Sequence, residues 1–260
     1  MDYHKELEFA KSMAHDAGKI MKKYYRTDQG VEIKADATPV TLADKEINDI
    51  LIERVKSEFP EYGVLGEEDS WNQDREILWV CDPIDGTVPY ILHVPTSAFS
   101  LALVVDGAPT VAVIFNPWIN ELYWAVKSGG AHRDGEKIHV SSKGWKDGIN
   151  VGNSGDKPGN PIREALSRDL YRGEGVVVNN IPGLAYTGST IADGVIEGKI
   201  FTHHTAHDIA ALKLIIEEAG GKVTDIEGNE QRYDQKINGA IMSNGLIHHE
   251  LVKIVAEAMK

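Results

Sequence analysis

Apolar residues recur three or four positions apart through the first turns of the chain. Leu7, Ala10, Ala14, Ala17, Met21 and Tyr24 make one stripe, which predicts an amphipathic helix packed on a core and ending near Tyr25. The spacing returns in Ile47, Leu51, Val55 and Phe59. Thr41 precedes that run as an N-cap, Asp44 follows three residues on in a near capping box, and Pro60 stops the helix. The pattern then shortens to strands at "YGVLG" and "ILWVC". A longer pair, "SAFSLALVV" and "TVAVIFN", is joined by Asp106-Gly107, a hairpin turn. "ELYWAV" and the "DGEKIHV" region extend this antiparallel, mixed α+β half.

The polar, glycine-rich stretch from Ser141 to Pro161 reads as a change of subdomain, dividing the chain into 1–145 and 146–260. Beyond it the pattern predicts a helix near Ile162 to Leu170, a strand at "GVVVN", a helix from about Ser189 to Glu197 and a short strand at "KIFTH". In "AHDIAALKLIIEEAGGKVTD", Ile209, Leu212, Ile215, Ile216 and Ala219 form an apolar face, and Gly220-Gly221 supply the C-cap. A strand near "GAIMSN" and a helix from about Leu246 follow.

At 260 residues and 42% apolar content, the chain can bury a sizeable core in one large domain or two smaller ones. Its 40 acidic and 27 basic residues give a net charge of −13, which argues against nucleic acid and anionic membrane as partners. An anionic substrate must then be captured by local positive charge, such as a metal ion. A lone cysteine, Cys81, excludes an intrachain disulfide, and with a start "MDYHKELEF" that lacks a signal-type apolar run it leads us to expect a cytoplasmic protein. No apolar run is long enough to span a bilayer.

The chemistry concentrates in "ILWVCDPIDGT", Ile77 to Thr87, where a strand runs into Asp82 and Asp85 flanking Pro83-Ile84. Two carboxylates held close repel unless a cation lies between them, and a hard divalent ion such as magnesium prefers oxygen ligands of this kind, the Ile84 carbonyl included. Gly86 permits close backbone approach, so the Gly86 and Thr87 amides can receive a phosphate. Taken alone the segment also reads as an Asp-rich turn with a helix cap. Glu67-Glu68 at the tip of "VLGEED" and Asp208 at the start of a helix are likewise unremarkable singly; together the three acidic sites point to a metal centre.

"GEE" at Gly66 to Glu68, "DPIDGT" at Asp82 to Thr87 and "HDIAALKLIIEEAGGKVTD" at His207 to Asp225 resemble, in order and separation, the inositol monophosphatase family of magnesium-dependent, lithium-sensitive phosphatases. The resemblance covers essentially the whole chain. It implies an alternating α-β-α-β-α sandwich of the sugar-phosphatase type, assembled as a homodimer and acting on a small phosphate monoester. It implies one magnesium on Glu67, Asp82 and the Ile84 carbonyl and a second on Asp82, Asp85 and Asp208, with Glu67 also offered to a third ion through water. Thr87, linked to Asp44, would orient and help deprotonate the attacking water, beside the catalytic Glu67. Gly86, Thr87 and Asp85 would meet the substrate, and Lys34 would lie near the phosphate.

The chain departs from the family pattern at His207, where tryptophan is usual, in Val88-Pro89-Tyr90 after "DGT", and at His93. The segment from Gly188 to Asp208 is several residues shorter than in inositol-specific relatives. The position nearest their substrate-contacting acidic residue is Phe201, so the resemblance does not by itself imply specificity for inositol. The run holding His203, His204 and His207 lacks the i,i+4 pair and the cysteines of common zinc sites and reads as a polar loop at the substrate entrance.

An aspartyl-nucleophile phosphatase of the haloacid-dehalogenase kind needs aspartates separated by one residue, whereas Asp82 and Asp85 are separated by two. An EF-hand needs glutamate at the loop's twelfth position, which here is His93. The expected activity is hydrolysis of an inositol-1-phosphate-like or sugar phosphate by metal-activated water. The alternatives are a histidinol-phosphate, fructose-1,6-bisphosphate or 3'-phosphoadenosine 5'-phosphate phosphatase, or a catalytically silent binding or regulatory homologue.

Overall fold

The computed structural model describes residues 3–154, 164 and 176–260. Helix α1 (His4–Tyr24) follows the stripe, burying Leu7, Ala10, Met13, Ala14, Ala17 and Met21. A short ribbon, β1 (Glu32–Ile33) and β2 (Pro39–Val40), leads into α2 (Leu42–Glu58). The capping box forms: the Thr41 hydroxyl accepts from the Asp44 N–H while the Asp44 carboxylate accepts from the Thr41 N–H, satisfying amides that the first turn leaves unpaired.

β3 (Gly63–Gly66) pairs parallel with β4 (Ile77–Asp85). After a short helix α3 (Thr87–Ile91), β4 pairs antiparallel with β5 (Ala98–Val105), and β6 (Ala108–Asn116), β7 (Glu121–Val126), β8 (Gly130–Arg133) and β9 (Glu136–Lys137) extend a seven-stranded sheet in the order β3-β4-β5-β6-β7-β8-β9. Asp106 and Gly107 both take positive φ, the geometry of a tight two-residue hairpin. Strand β4 runs four residues past the expected "ILWVC". Asp82 pairs with Ser100 and Asp85 with Ala98, and a register shift between them absorbs Pro83, which has no N–H to give a ladder.

The second sheet holds β10 (Ile149–Ser154), β11 (Val176–Asn179), β12 (Gly198–Phe201), β13 (Lys222–Thr224) and β14 (Ala240–Ser243) in the order β11-β10-β12-β14-β13. Helix α4 spans Leu184–Ala192 rather than Ser189 to Glu197, α5 spans Ala206–Glu218 and α6 spans His248–Ala258. The shift in α4 has a packing cause: Gly188 lies inside the helix, where a Cβ would sit 2.7 Å from a Leu212 methyl, so this glycine lets α4 and α5 approach instead of opening the helix. The expected helix near Ile162 to Leu170 lies outside the described residues but for Glu164.

Alternation along the strands builds the layers. Trp79 and Cys81 of β4, with Phe99, Leu101 and Leu103 of β5, pack against α1 and α2. Leu78, Val80, Ala102 and Val104 face α4 and α5, whose far side meets Val223, Ala240 and Met242 of the second sheet. Ile149, Val151, Ile200 and Ile241 pack the other face of that sheet on α6. The order is helix, sheet, helix, sheet, helix, as expected. No helix among the described residues is long and apolar enough to cross a membrane.

Candidate active site

The last residues of β4 carry the pair of aspartates read from the sequence. Asp82 and Asp85 are 2% and 4% exposed. They converge with Asp208, in the first turn of α5, so that one ligand atom from each lies within 4.8 Å of the others. Asp208 Oδ2 accepts from the Thr205 hydroxyl, and the His207 ring nitrogen stands 3.7 Å from the same oxygen. Asp85 Oδ2 accepts from the Ala185 N–H of α4 at 2.8 Å, while Asp82 Oδ1 is buried without a partner.

The electrostatics are strained. Burial, and then the charges of Glu67, Asp85 and Asp208, push the Asp82 carboxyl well above its ordinary range. Burial and the Asp208 charge raise Asp85 to about 7, against the pull of the Ala185 N–H and the Lys199 ammonium. Three carboxylates do not crowd a largely buried site at neutral pH without positive charge, and an orphaned oxygen among them has a lone pair to give. The set is all oxygen, which suits a hard divalent cation, so the residues fit the metal that the sequence implies.

Glu67 begins where β3 ends, its N–H donating to the Cys81 carbonyl. Its carboxylate accepts from Lys34 Nζ at 2.8 Å, and Glu68 accepts from the same ammonium at 3.0 Å. Lys34, expected near a phosphate, thus sits on two acidic side chains. Its pKa rises although burial opposes this, because the Glu67 and Glu68 bonds outweigh desolvation.

Gly86 has φ +81, and a Cβ there would lie 3.2 Å from the Cα of Gly183. Gly183 itself has φ +84, and its Cβ would meet the Thr96 carbonyl oxygen at 2.3 Å. The turn after Asp85 and the entrance to α4 therefore touch backbone to backbone, which only glycine allows. The Thr87 hydroxyl donates to the Ile84 carbonyl at 3.3 Å, so in this structure it bonds a proposed ligand oxygen and not Asp44. Asp44 Oδ2 accepts from the Thr41 N–H and hydroxyl, and its Oδ1 is buried without a partner. Burial, only partly offset by the Thr41 bonds, raises Asp44 to about 7. Phe201 is 5% exposed, packed in the central core and stacked on His203, so it lines the interior and not an open pocket.

Beside the cluster, a cavity of about 410 Å³ is lined by Leu65, Gly66, Gln73, His204, His207 and Lys236, among others. The Ala185 amide, Thr205, Thr187 and Lys199 were not signalled by sequence. Thr205 could have been found as the N-cap residue of α5; nothing in the local pattern marks the other three.

The model of the inositol monophosphatase family matches residues 2–260. The chain is 32% identical to a fructose-1,6-bisphosphatase/inositol-1-monophosphatase of Thermotoga maritima, covering 98% of this chain and 97% of that one. It is 31% identical to a histidinol-phosphatase of Chlorobaculum parvum, over 96% of each. Among solved structures, an IMPase of Thermotoga maritima superposes with a TM-score of 0.88 at 27% identity, over 98% of both chains. The extragenic suppressor protein suhB of Bartonella henselae gives 0.85 at 26% identity, over 94% and 95%.

Proposed function

The chain belongs to the inositol monophosphatase family, and from that premise we propose that it hydrolyses a small phosphorylated polyol or sugar with magnesium as its cofactor. Membership makes it a phosphoric monoester hydrolase. The observation that carries the finer reading is the convergence of buried Asp82 and Asp85 with half-buried Asp208 within 4.8 Å, beside the turn at Gly86 and Thr87.

Glu67, Asp82 and the Ile84 carbonyl would hold one ion and Asp82, Asp85 and Asp208 a second, with Glu67 also able to reach a third through water. Such ions, when bound, lower the pKa of water to make a nucleophile and neutralise the phosphate and the leaving oxygen. The chain's residues do the rest. The Gly86 and Thr87 N–H groups hold phosphate oxygens. The Thr87 hydroxyl gives up its bond to the Ile84 carbonyl, orients the attacking water, and takes the water's proton as its own passes to Asp44. The unpaired Oδ1 of Asp44 and its pKa of about 7 suit that acceptor role near neutral pH. On a division at residue 145, residues 1–145 would supply Glu67, Asp82 and Asp85 and residues 146–260 would supply Asp208. Because the ligands read phosphate and metal, the alcohol is left to the surrounding loops.

The test is phosphate release from inositol 1-phosphate, fructose 1,6-bisphosphate, histidinol phosphate, 3'-phosphoadenosine 5'-phosphate and glycerol phosphate, with and without magnesium, and with lithium added to active reactions. Turnover that needs magnesium and concentrates on a polyol or sugar phosphate supports the reading. Silence on every compound by a protein that binds the ion would reject it in favour of a binding homologue.

A further inference from the structure

Lysine is almost never fully buried without a charged partner, yet Lys199 of β12 is 1% exposed. It forms no ion pair among the described residues. Room is made for its stem by Gly152 on the neighbouring strand, where a Cβ would lie 3.1 Å from Lys199 Cγ. Its ammonium donates to the Thr187 hydroxyl, and that hydroxyl donates to the Gly183 carbonyl. The Thr187 N–H also reaches the Gly183 carbonyl, at 3.3 Å. These bonds fasten the first turn of α4. The same turn carries the Ala185 N–H that holds Asp85 Oδ2 at 2.8 Å.

We infer that Lys199 and Thr187 are positioning residues for the metal centre: they fix the α4 turn whose Ala185 amide pins one oxygen of Asp85 and so presents the other to the cation. Unlike an N-cap, this relay reaches from the second sheet through a helix to a carboxylate on the first. The ammonium also stands close enough to Asp85 for their charges to interact, and burial lowers its own pKa to about 8 against that attraction. The inference rests on the reading of Asp85 as a metal ligand.

The experiment titrates Mn2+ into metal-free protein, following the free ion by electron paramagnetic resonance, for the wild type, Lys199→Met, Thr187→Val, the double variant, Thr187→Ser and Asp85→Asn. The melting temperature of each metal-free protein is recorded alongside. Lys199→Met and Thr187→Val should each weaken Mn2+ binding about tenfold, the size typical of losing a group that orients a ligand. The double variant should be no weaker than the worse single one, because both interrupt one relay, and Thr187→Ser, which keeps the hydroxyl, should bind like the wild type. Wild-type affinity in folded Thr187→Val overturns the relay. So does tighter binding by Lys199→Met, which would mean that the ammonium merely repels the ion, and so does full additivity of the two losses. Should Lys199→Met not fold, the contrast between Thr187→Val and Thr187→Ser decides alone. If Asp85→Asn binds Mn2+ like the wild type, the metal reading and the relay fall together; if it binds weakly while the Thr187 variants do not, only the relay falls.

Discussion

The Ala185 N–H donates to Asp85 Oδ2 at 2.8 Å across one hundred positions of sequence, tying the first turn of α4 to the end of β4. One carboxylate oxygen is thereby taken, and the other is left to the cluster.

Replacing Asp85 by asparagine keeps an acceptor for that amide but removes one of three crowded charges. Turnover should fall by at least about 100-fold, as expected when an electrostatic partner of a metal is lost. The metal-free protein at pH 8 should nevertheless melt a few degrees higher, because each kcal/mol recovered shifts a domain of this size by roughly 2–4 °C. Equal or lower melting temperatures would contradict the strain inferred at the site. Asp208→Asn should behave alike in turnover.

The stability of the metal-free protein should depend on pH in a sense opposite to that of an ordinary salt-bridged carboxylate. Asp44 and Asp85 have folded pKa values of about 7, above the ordinary 3.8. Their contribution is complete below the unfolded value and is lost as pH rises through about 7. Magnesium binding needs the ionised forms, so added magnesium should raise the melting temperature more at pH 8 than at pH 5.5. A shift independent of pH would refute this.

Thr87→Ala should leave cation affinity near that of the wild type while lowering kcat by about 10²–10⁴-fold, the range for a lost proton-transfer group. Its partner in the structure is the Ile84 carbonyl, so the ligand set stays intact. A parallel loss of cation affinity would show that the hydroxyl is structural instead.

Alanine at Gly183 should destabilise more than alanine at Gly86. Both have positive φ, worth about 1–2 kcal/mol for a residue with a Cβ. At Gly183 the added carbon would also run into the Thr96 carbonyl oxygen at 2.3 Å, whereas at Gly86 the nearest atom is 3.2 Å away. Thermal melts of the two variants compare them directly, and the reverse order would mean that the Thr96 segment yields easily.

Much of this was legible in the chain. The Thr41 and Asp44 capping box, the Asp106-Gly107 hairpin and the stripes of α1 and α5 rest on neighbours within a turn or two. The misplacement of α4 shows the boundary of that legibility. Gly188 and Ser189 look like a helix start locally, but packing on Leu212 turns the glycine into a contact and the helix begins at Leu184. The extension of β4 through Asp85 likewise depends on pairing with β5.

Sequence alone determined most of the α and β elements, the acidic residues at strand and helix ends, and the family they spell, because spacing and residue type encode local geometry and ligand chemistry. Tertiary structure decided what those residues experience. Lys34 lies on Glu67 and Glu68, Asp44 and Asp85 are raised to about 7, and Lys199 is buried behind the cluster. Each of these follows from loss of water and from charges brought together by distant segments, and neither quantity exists until the sheets and helices have packed.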